Sequence, residues 1–175
     1  MLVTVSLLAH SPASVQAVAD MRWLEWGHPP EPEDPAWWLA TTVREAGREN
    51  LPVTFVAHDA AGEVMGAVGL DTYDLDERQE TSPWVTGLIV RRDRRGKGVG
   101  RRLMQHLEQW AAEHQVAVAW VGTDLAADFY RHCGWTLQET FTRSDGLEMS
   151  VLNKHLRHSA GLTEVAGSDQ PANGT

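Results

Sequence analysis

The run Trp84-Val85-Thr86-Gly87-Leu88-Ile89-Val90-Arg91-Arg92-Asp93-Arg94-Arg95-Gly96-Lys97-Gly98-Val99-Gly100-Arg101-Arg102 changes character twice. Its first seven residues form an apolar, strand-like pattern. The next twelve hold seven of the chain's fifteen basic residues, and apolar positions then return at helical spacing. Gly96, Gly98 and Gly100 let the backbone turn tightly and its N–H groups converge without Cβ obstruction. The helix that opens there aims the positive end of its dipole at the same point. Strand, glycine loop and helix together predict a socket for a polyanionic phosphate ligand.

Neither of the two commonest phosphate loops fits. A P-loop needs Lys followed by Ser or Thr, and here Gly98 follows Lys97. The dinucleotide fingerprint spaces its glycines as G-x-G-x-x-G, whereas this loop reads Gly96, Gly98, Gly100 and then two arginines. The segment Arg95-Gly96-Lys97-Gly98-Val99-Gly100 instead resembles the (Gln/Arg)-x-x-Gly-x-(Gly/Ala) signature of the GNAT superfamily of acetyl-coenzyme A-dependent N-acetyltransferases. Further on, Ala126-Ala127-Asp128-Phe129-Tyr130-Arg131-His132-Cys133-Gly134-Trp135 is similar to that family's Ala-x-x-Phe-Tyr-x-x-x-Gly-(Phe/Trp) motif. The clear resemblance covers residues 84–135, and a compatible element order extends it to 2–153.

The resemblance implies a single α/β (α+β) domain over residues 1–155. Its sheet would be mixed and mostly antiparallel, with six or seven strands flanked by four helices. Strands 84–91 and 116–121 would run parallel and splay apart, joined by a right-handed crossover. Outward from them, the pattern predicts a strand over 2–8 and a helix from Ser11-Pro12 that turns Val15, Val18, Ala19 and Leu24 inward. A proline-rich break follows at 27–35. A second helix over 35–48 would carry Trp38, Leu39, Thr42 and Val43 inward. Residues 52–58 and 63–71 read as a hairpin, and 71–83 as an acidic loop. In the helix after the glycines, Val99, Leu103, Leu107, Trp110 and His114 share one face. Asp124 would cap and Gly134 end the helix carrying Phe129 and Tyr130, and strands over 135–142 and 147–153 close the domain. Residues 156–175 lack periodicity and are expected to form a disordered tail.

Composition bounds the function. The chain of 175 residues carries −9 net charge, yet 91–102 holds +6, which leaves −15 on the remainder. A nucleic-acid binder would spread its positive surface along a longer groove, so a compact phosphate ligand suits this distribution better. No run of eighteen apolar residues reads as a membrane span, and the apolar start lacks a basic leader region. The single Cys133 excludes an internal disulfide and any Cys-based zinc site; it reads as a small buried hydrophobe, and a cytoplasmic location is expected. No metal is expected. The partners expected are a small cationic amine, with neither nucleic acid nor membrane, and with a homodimer left open.

Acetyl transfer to an amine requires cofactor phosphates to be held, the amine deprotonated, the oxyanion stabilised and the departing thiolate reprotonated. The resemblance assigns acetyl-coenzyme A, as co-substrate, to Arg95, Gly96, Lys97, Gly98, Val99 and Gly100, whose N–H groups would meet its pyrophosphate. Arg94, Lys97 and Arg101 are candidates for its 3′-phosphate. The backbone of Leu88, Ile89 and Val90 would pair with the pantetheine arm. Tyr130 would be the general acid, with Phe129 packed beside it. Thr123 stands where the family often has Asn.

The family's Glu at the start of the central strand is replaced by Trp84, so the base must lie elsewhere. Glu80 is the first candidate, acting through water, with Asp71 and Glu25 behind it. Acceptor binding falls to Trp23, Glu25, Trp26, Trp38, Asp71, Glu80 and Trp84, because aromatic faces beside carboxylates suit a polycation. An aminoglycoside-type antibiotic is the first expectation. Alternatives are a peptide or protein N-acetyltransferase and a non-catalytic acyl-coenzyme A-binding module.

Overall fold

The alternating residues after Pro52 build the first half of the sheet. In the computed structural model, which describes residues 2–28 and 31–156, β2 (Val53–His58) and β3 (Val64–Asp71) form an antiparallel hairpin. Asp59 Oδ1 accepts the Ala61 and Glu63 N–H groups within its turn, and Gly62 takes φ +82°. Outward from the hairpin, β1 (Thr4–Leu7) pairs with β2 and β4 (Trp84–Val90) with β3, both antiparallel. The other half comprises β5 (Val118–Thr123), β6 (Thr136–Thr142) and β7 (Glu148–His155), giving the order β1-β2-β3-β4-β5-β7-β6.

Among the described residues only β4 and β5 pair in parallel, and they register at two positions, Trp84 with Trp120 and Val85 with Val121. Beyond Val85 the strands separate, as the strand–loop–helix–strand order predicts. A bulge in β4 marks the parting. Ala67 faces Ile89 and Gly69 faces Thr86, so Gly87 and Leu88 together oppose Val68. Gly87 adopts φ +55°, a backbone conformation that a residue with a Cβ rarely takes.

Four α-helices flank the sheet. On one face α3 (Val99–Glu113) buries Val99, Leu103, Met104, Leu107 and Ala111 against Phe55, Met65, Val68 and Val85. Full burial of Leu103 or Leu107 contributes roughly 1.5–3 kcal/mol each. On the other face α1 (Val15–Trp26) sets Val18 against Leu8, Val56, Ala67 and Ile89. The helix α2 (Pro35–Arg44) packs on α1, with Pro35 in its first turn and Asp34 Oδ1 accepting the Ala36 N–H at 2.8 Å. The short α4 (Ala127–His132) follows β5, and Gly134 beyond it has φ +85°.

Several elements differ from the sequence reading. Residues Pro12–Ser14 form a separate 3₁₀ turn before α1, and α2 stops at Arg44 rather than 48. Leu24 and Val43, expected inside, are each 59% exposed, while Arg22 is 3% exposed and Thr41 and Thr42 are buried. An ion pair organises this interface. Arg22 Nη1 lies 2.7 Å from Glu45 Oε2 and donates to Thr42 Oγ1 at 3.3 Å. His114 is exposed and stacks on Trp110 at 3.8 Å, because the buried stripe of α3 runs through Met104 and Ala111 instead. At the start of α4, Thr123 Oγ1 accepts the Ala126 N–H at 2.9 Å, the role assigned to Asp124. β7 extends to His155, and the expected tail from 157 onward lies outside the described residues.

Candidate active site

Where β4 and β5 part, a cleft of about 790 Å³ opens, within the size range of small-ligand sites. One wall is the β4 backbone from Val85 to Val90, whose groups on the β5 side have no strand partner beyond Val85. The glycine loop closes one end, with Arg95, Gly96, Gly98, Val99, Gly100 and Arg101 lining it. Gly96 and Gly98 adopt φ +71° and +81°, and a Cβ at either would meet nothing within 4 Å. Gly98 is the N-cap of α3 and no side chain caps that end. The first N–H groups of α3 therefore lack a capping side chain on the side facing the cleft. Gly100 has a different task, since a Cβ there would lie 3.4 Å from Phe129 Cζ and press on the α4 packing.

Most basic residues of the loop have partners, both within it and on neighbouring elements. Arg91 forks onto Asp93 at 2.7 and 2.9 Å, and Arg94 Nη2 lies 3.1 Å from Asp59 Oδ2. Arg95 donates to Glu25 Oε1 at 2.8 Å and to Val90 O at 2.9 Å. Lys97 Nζ donates to Asp93 O and does not line the cleft, whereas Arg101 lines it with Nη2 on His132 O at 2.9 Å.

The opposite wall carries Thr123 and Tyr130. Tyr130 is 5% exposed and held edge-on by Phe129 at 5.2 Å and Trp135 at 5.9 Å. Its hydroxyl has no hydrogen-bond partner among the described residues. Burial pushes its phenol up, and the charge of Asp74 adds to that, so it stays protonated across the working range. Thr123 turns its hydroxyl to its own chain, as noted above. Burial pushes the Cys133 thiol up as well, away from thiolate character.

Of the acceptor residues expected from sequence, the structure brings only Glu25 and Trp26 to the cleft. Trp26 stacks on Trp38 at 6.3 Å, and Trp37 meets Trp38 edge-on at 5.2 Å. Trp38 and Trp23 stand behind Trp26 and donate their indole N–H groups to Glu33 at 2.8 Å each. Trp84 is completely buried against Trp120 and Leu75, with its N–H on Thr81 O at 2.7 Å. Asp71 accepts the Thr72 N–H at the end of β3, and Glu80 is exposed outside the cleft. Glu25 is tied to the glycine loop, where the Arg95 guanidinium holds its carboxyl below the ordinary range.

The carboxylate that the structure does place in the cleft is Asp74, which was not singled out from sequence as a base. Although the residue is exposed at the cleft, desolvation by the surrounding wall pushes its carboxyl up to about 6, with Arg143 opposing and the like charge of Asp71 adding. Its sequence signal is Leu75, an apolar residue isolated among five acids in 71–80, which anchors the loop to the core.

The acetyltransferase (GNAT) family model matches residues 15–135. The chain belongs to that family and is an acetyl-coenzyme A-dependent N-acetyltransferase. No curated protein matches the sequence. Among solved structures, an aminoglycoside 6′-N-acetyltransferase complexed with coenzyme A superposes with TM-score 0.70 at 18% identity, over 89% of this chain and 97% of that one. A spermidine/spermine N-acetyltransferase from Vibrio cholerae gives 0.65 at 16%, over 88% and 92%. The ribosomal-protein-S18-alanine N-acetyltransferase from Escherichia coli gives 0.62 at 16%, over 98% and 100%. Identities this low speak for the shared fold. Among the described residues no group of His, Cys, Asp or Glu could hold a metal ion, and no helix is long and apolar enough to cross a membrane.

Proposed function

We propose that the enzyme acetylates a primary amine of a small cationic substrate by direct attack within the β4–β5 cleft. The observation that carries this reading is the buried residue Tyr130, whose hydroxyl has no partner among the described residues, in the wall of the cleft whose far end is the open N-terminus of α3. Acetyl-coenzyme A supplies an activated acetyl thioester. The N–H groups of Arg95–Gly100 are proposed to hold its pyrophosphate, and Arg101 with Lys97 its 3′-phosphate. Leu88, Ile89 and Val90 offer unpaired backbone to the pantetheine arm, in the manner of an added strand. Tyr130 donates its proton to the leaving sulfur.

An aminoglycoside-type polyamine is the acceptor we favour. Support comes from Trp26 at the cleft, backed by Trp38, the strongly acidic body outside the loop, and the likeness to an aminoglycoside 6′-N-acetyltransferase. The second reading is a peptide or protein acceptor, favoured by the near-complete overlap with the S18-alanine enzyme. The single, half-buried cysteine suits a reducing, cytoplasmic location. Acetyl-coenzyme A consumption measured against aminoglycosides, polyamines, lysine peptides and N-terminal peptides tests both readings. Turnover confined to the peptides moves the assignment to the second reading.

A further inference from the structure

The acidic loop between β3 and β4 is locked to the core at one residue. Leu75 is buried among Trp84, Met149 and Val151. A Cβ added at Gly122 would lie only 2.7 Å from Leu75 Cδ1, so β5 receives this side chain in a notch that glycine leaves. Arg78 is a second pin, with Nη2 on Glu139 Oε2 at 2.9 Å and its guanidinium 4.3 Å above Phe141. These anchors place the neighbouring Asp74 in the wall of the cleft that also holds Tyr130, Val121 and Gly122. Asp74 makes no hydrogen bond or ion pair among the described residues, and neither does the Tyr130 hydroxyl. Asp74 is exposed to the cleft and Tyr130 is buried in its wall, so a ligand entering the cleft can reach both groups, whose hydrogen-bonding capacity is unused.

We propose that Asp74 binds the acceptor's ammonium group, takes its proton, and by becoming neutral releases Tyr130 to protonate the leaving thiolate. This rests on the acetyl-transfer reading above. Arg143 in the β6–β7 turn and Asp71 at the end of β3 act on Asp74, Asp74 acts on Tyr130 from α4, and Asp124 after β5 lines the same cleft. Two acids and one arginine leave a net negative site suited to an ammonium group. The raised Asp74 carboxyl is a better base at neutral pH than an ordinary aspartate, and its charge is one cause of the raised Tyr130 phenol.

The steps balance. An N–H bond of the ammonium breaks and its proton goes to an Asp74 oxygen. The nitrogen lone pair forms the C–N bond to the acetyl carbon, the C–S bond breaks, and its electron pair stays on sulfur. The Tyr130 O–H proton goes to that sulfur, and the phenolate takes the proton held by Asp74. The adduct's nitrogen gives up its second proton to water, so the ammonium loses two protons in all: one ends on the thiol and one in solvent. Neutralising Asp74 removes a like charge beside Tyr130, so the phenol becomes a stronger acid as the thiolate forms.

The test uses tobramycin and spermidine as probe amines and Asp74→Asn in the full chain, with folding checked by near-ultraviolet circular dichroism. The expected kcat/KM for the amine falls about 100-fold or more, with acetyl-coenzyme A affinity within about twofold. The rising limb near pH 6 moves up to the amine's own titration, above about pH 8. Asp74→Glu recovers part of the rate and brings the limb back. A uniform loss at every pH, or a wild-type limb in Asp74→Asn, overturns the proposal while leaving the acetyl-transfer reading intact. If wild type acetylates neither amine, the acceptor assignment fails, and Asp74 is then read from slow acetyl-coenzyme A hydrolysis. Loss of the pH 6 limb of that reaction in Asp74→Asn supports the role, and its retention overturns it.

Discussion

Glu25 Oε1 accepts a hydrogen bond of 2.8 Å from Arg95 Nη2, joining the first helix to the glycine loop across the mouth of the cleft. Arg92 shares the other carboxylate oxygen at 3.4 Å. Glu25 therefore belongs to the glycine-loop end of the cleft, although its position on a tryptophan-rich helix suggests an acceptor role. Its carboxyl is held charged by Arg95, so it places a negative charge beside the proposed phosphate site.

Glu25→Gln is expected to lower the KM for acetyl-coenzyme A, by up to about fivefold at low salt, and to leave the amine's KM unchanged. An exposed pair of this kind is worth only about 0.2–1 kcal/mol, and freeing Arg95 for a phosphate offsets its loss. Initial-rate kinetics at two salt concentrations checks this. A raised amine KM would return Glu25 to the acceptor site.

Tyr130→Phe is expected to reduce kcat by about 100- to 10,000-fold with acetyl-coenzyme A affinity within about twofold, since only the proton donor is removed. Combined with Asp74→Asn, the loss should be close to that of the worse single variant, because the two groups act on one proton path. Calorimetry and steady-state rates on the four proteins supply the comparison.

Gly98→Ala should weaken acetyl-coenzyme A binding and lower the melting temperature. A Cβ at Gly98 meets open space, so the cost is purely conformational, about 1–2 kcal/mol for a non-glycine residue at φ +81°. Relaxing that strain would turn the first N–H groups of α3 away from the cleft. Titration by calorimetry should show the affinity loss, and unchanged affinity in a folded variant would detach the loop from the phosphates.

The buried Arg22–Glu45 pair gives an asymmetric expectation. Removing one partner, as in Glu45→Ala, leaves the 3%-exposed guanidinium with Nε, Nη2 and now Nη1 short of acceptors, and should cost about 3–5 kcal/mol. The double replacement Arg22→Met with Glu45→Leu should be far less destabilising. Urea unfolding of both proteins measures the difference.

Asp74→Asn should stabilise the protein at pH 8 and change little at pH 4. The folded carboxyl titrates near 6, above the ordinary aspartate range of the unfolded chain. The folded state therefore binds the proton more tightly, and that stability is lost as pH rises through about 6. Asparagine cannot ionise and escapes the loss. Melting temperatures should diverge between the proteins as pH rises from about 4 to 6 and keep a constant gap from there to pH 8.

Legibility in the sequence followed the range of the interactions. The strand–loop–helix half of the cleft was readable because its parts are contiguous, each with a local period or a turn residue to mark it. The acceptor half depends on contacts between distant residues. Arg22 turns inward because Glu45 and Thr42 await it on another helix, which no periodicity within α1 reveals. Trp84 begins a strand, and an aromatic there suits a pocket wall as well as a core. Its burial is decided by Leu75 and Trp120 arriving from elsewhere. Five acids in one loop looked equivalent, and the packing of Leu75 against Gly122 selects Asp74.

The two-position pairing of β4 with β5 gives this sheet an edge in its middle. Edges normally lie at the rim of a sheet, where unpaired backbone invites strands from other chains. Here that template faces a cleft lined by Trp26 of α1 and by Phe129 and Tyr130 of α4 instead of the rim. In the binding mode proposed above, the cosubstrate is the missing rung of the ladder as well as the reagent.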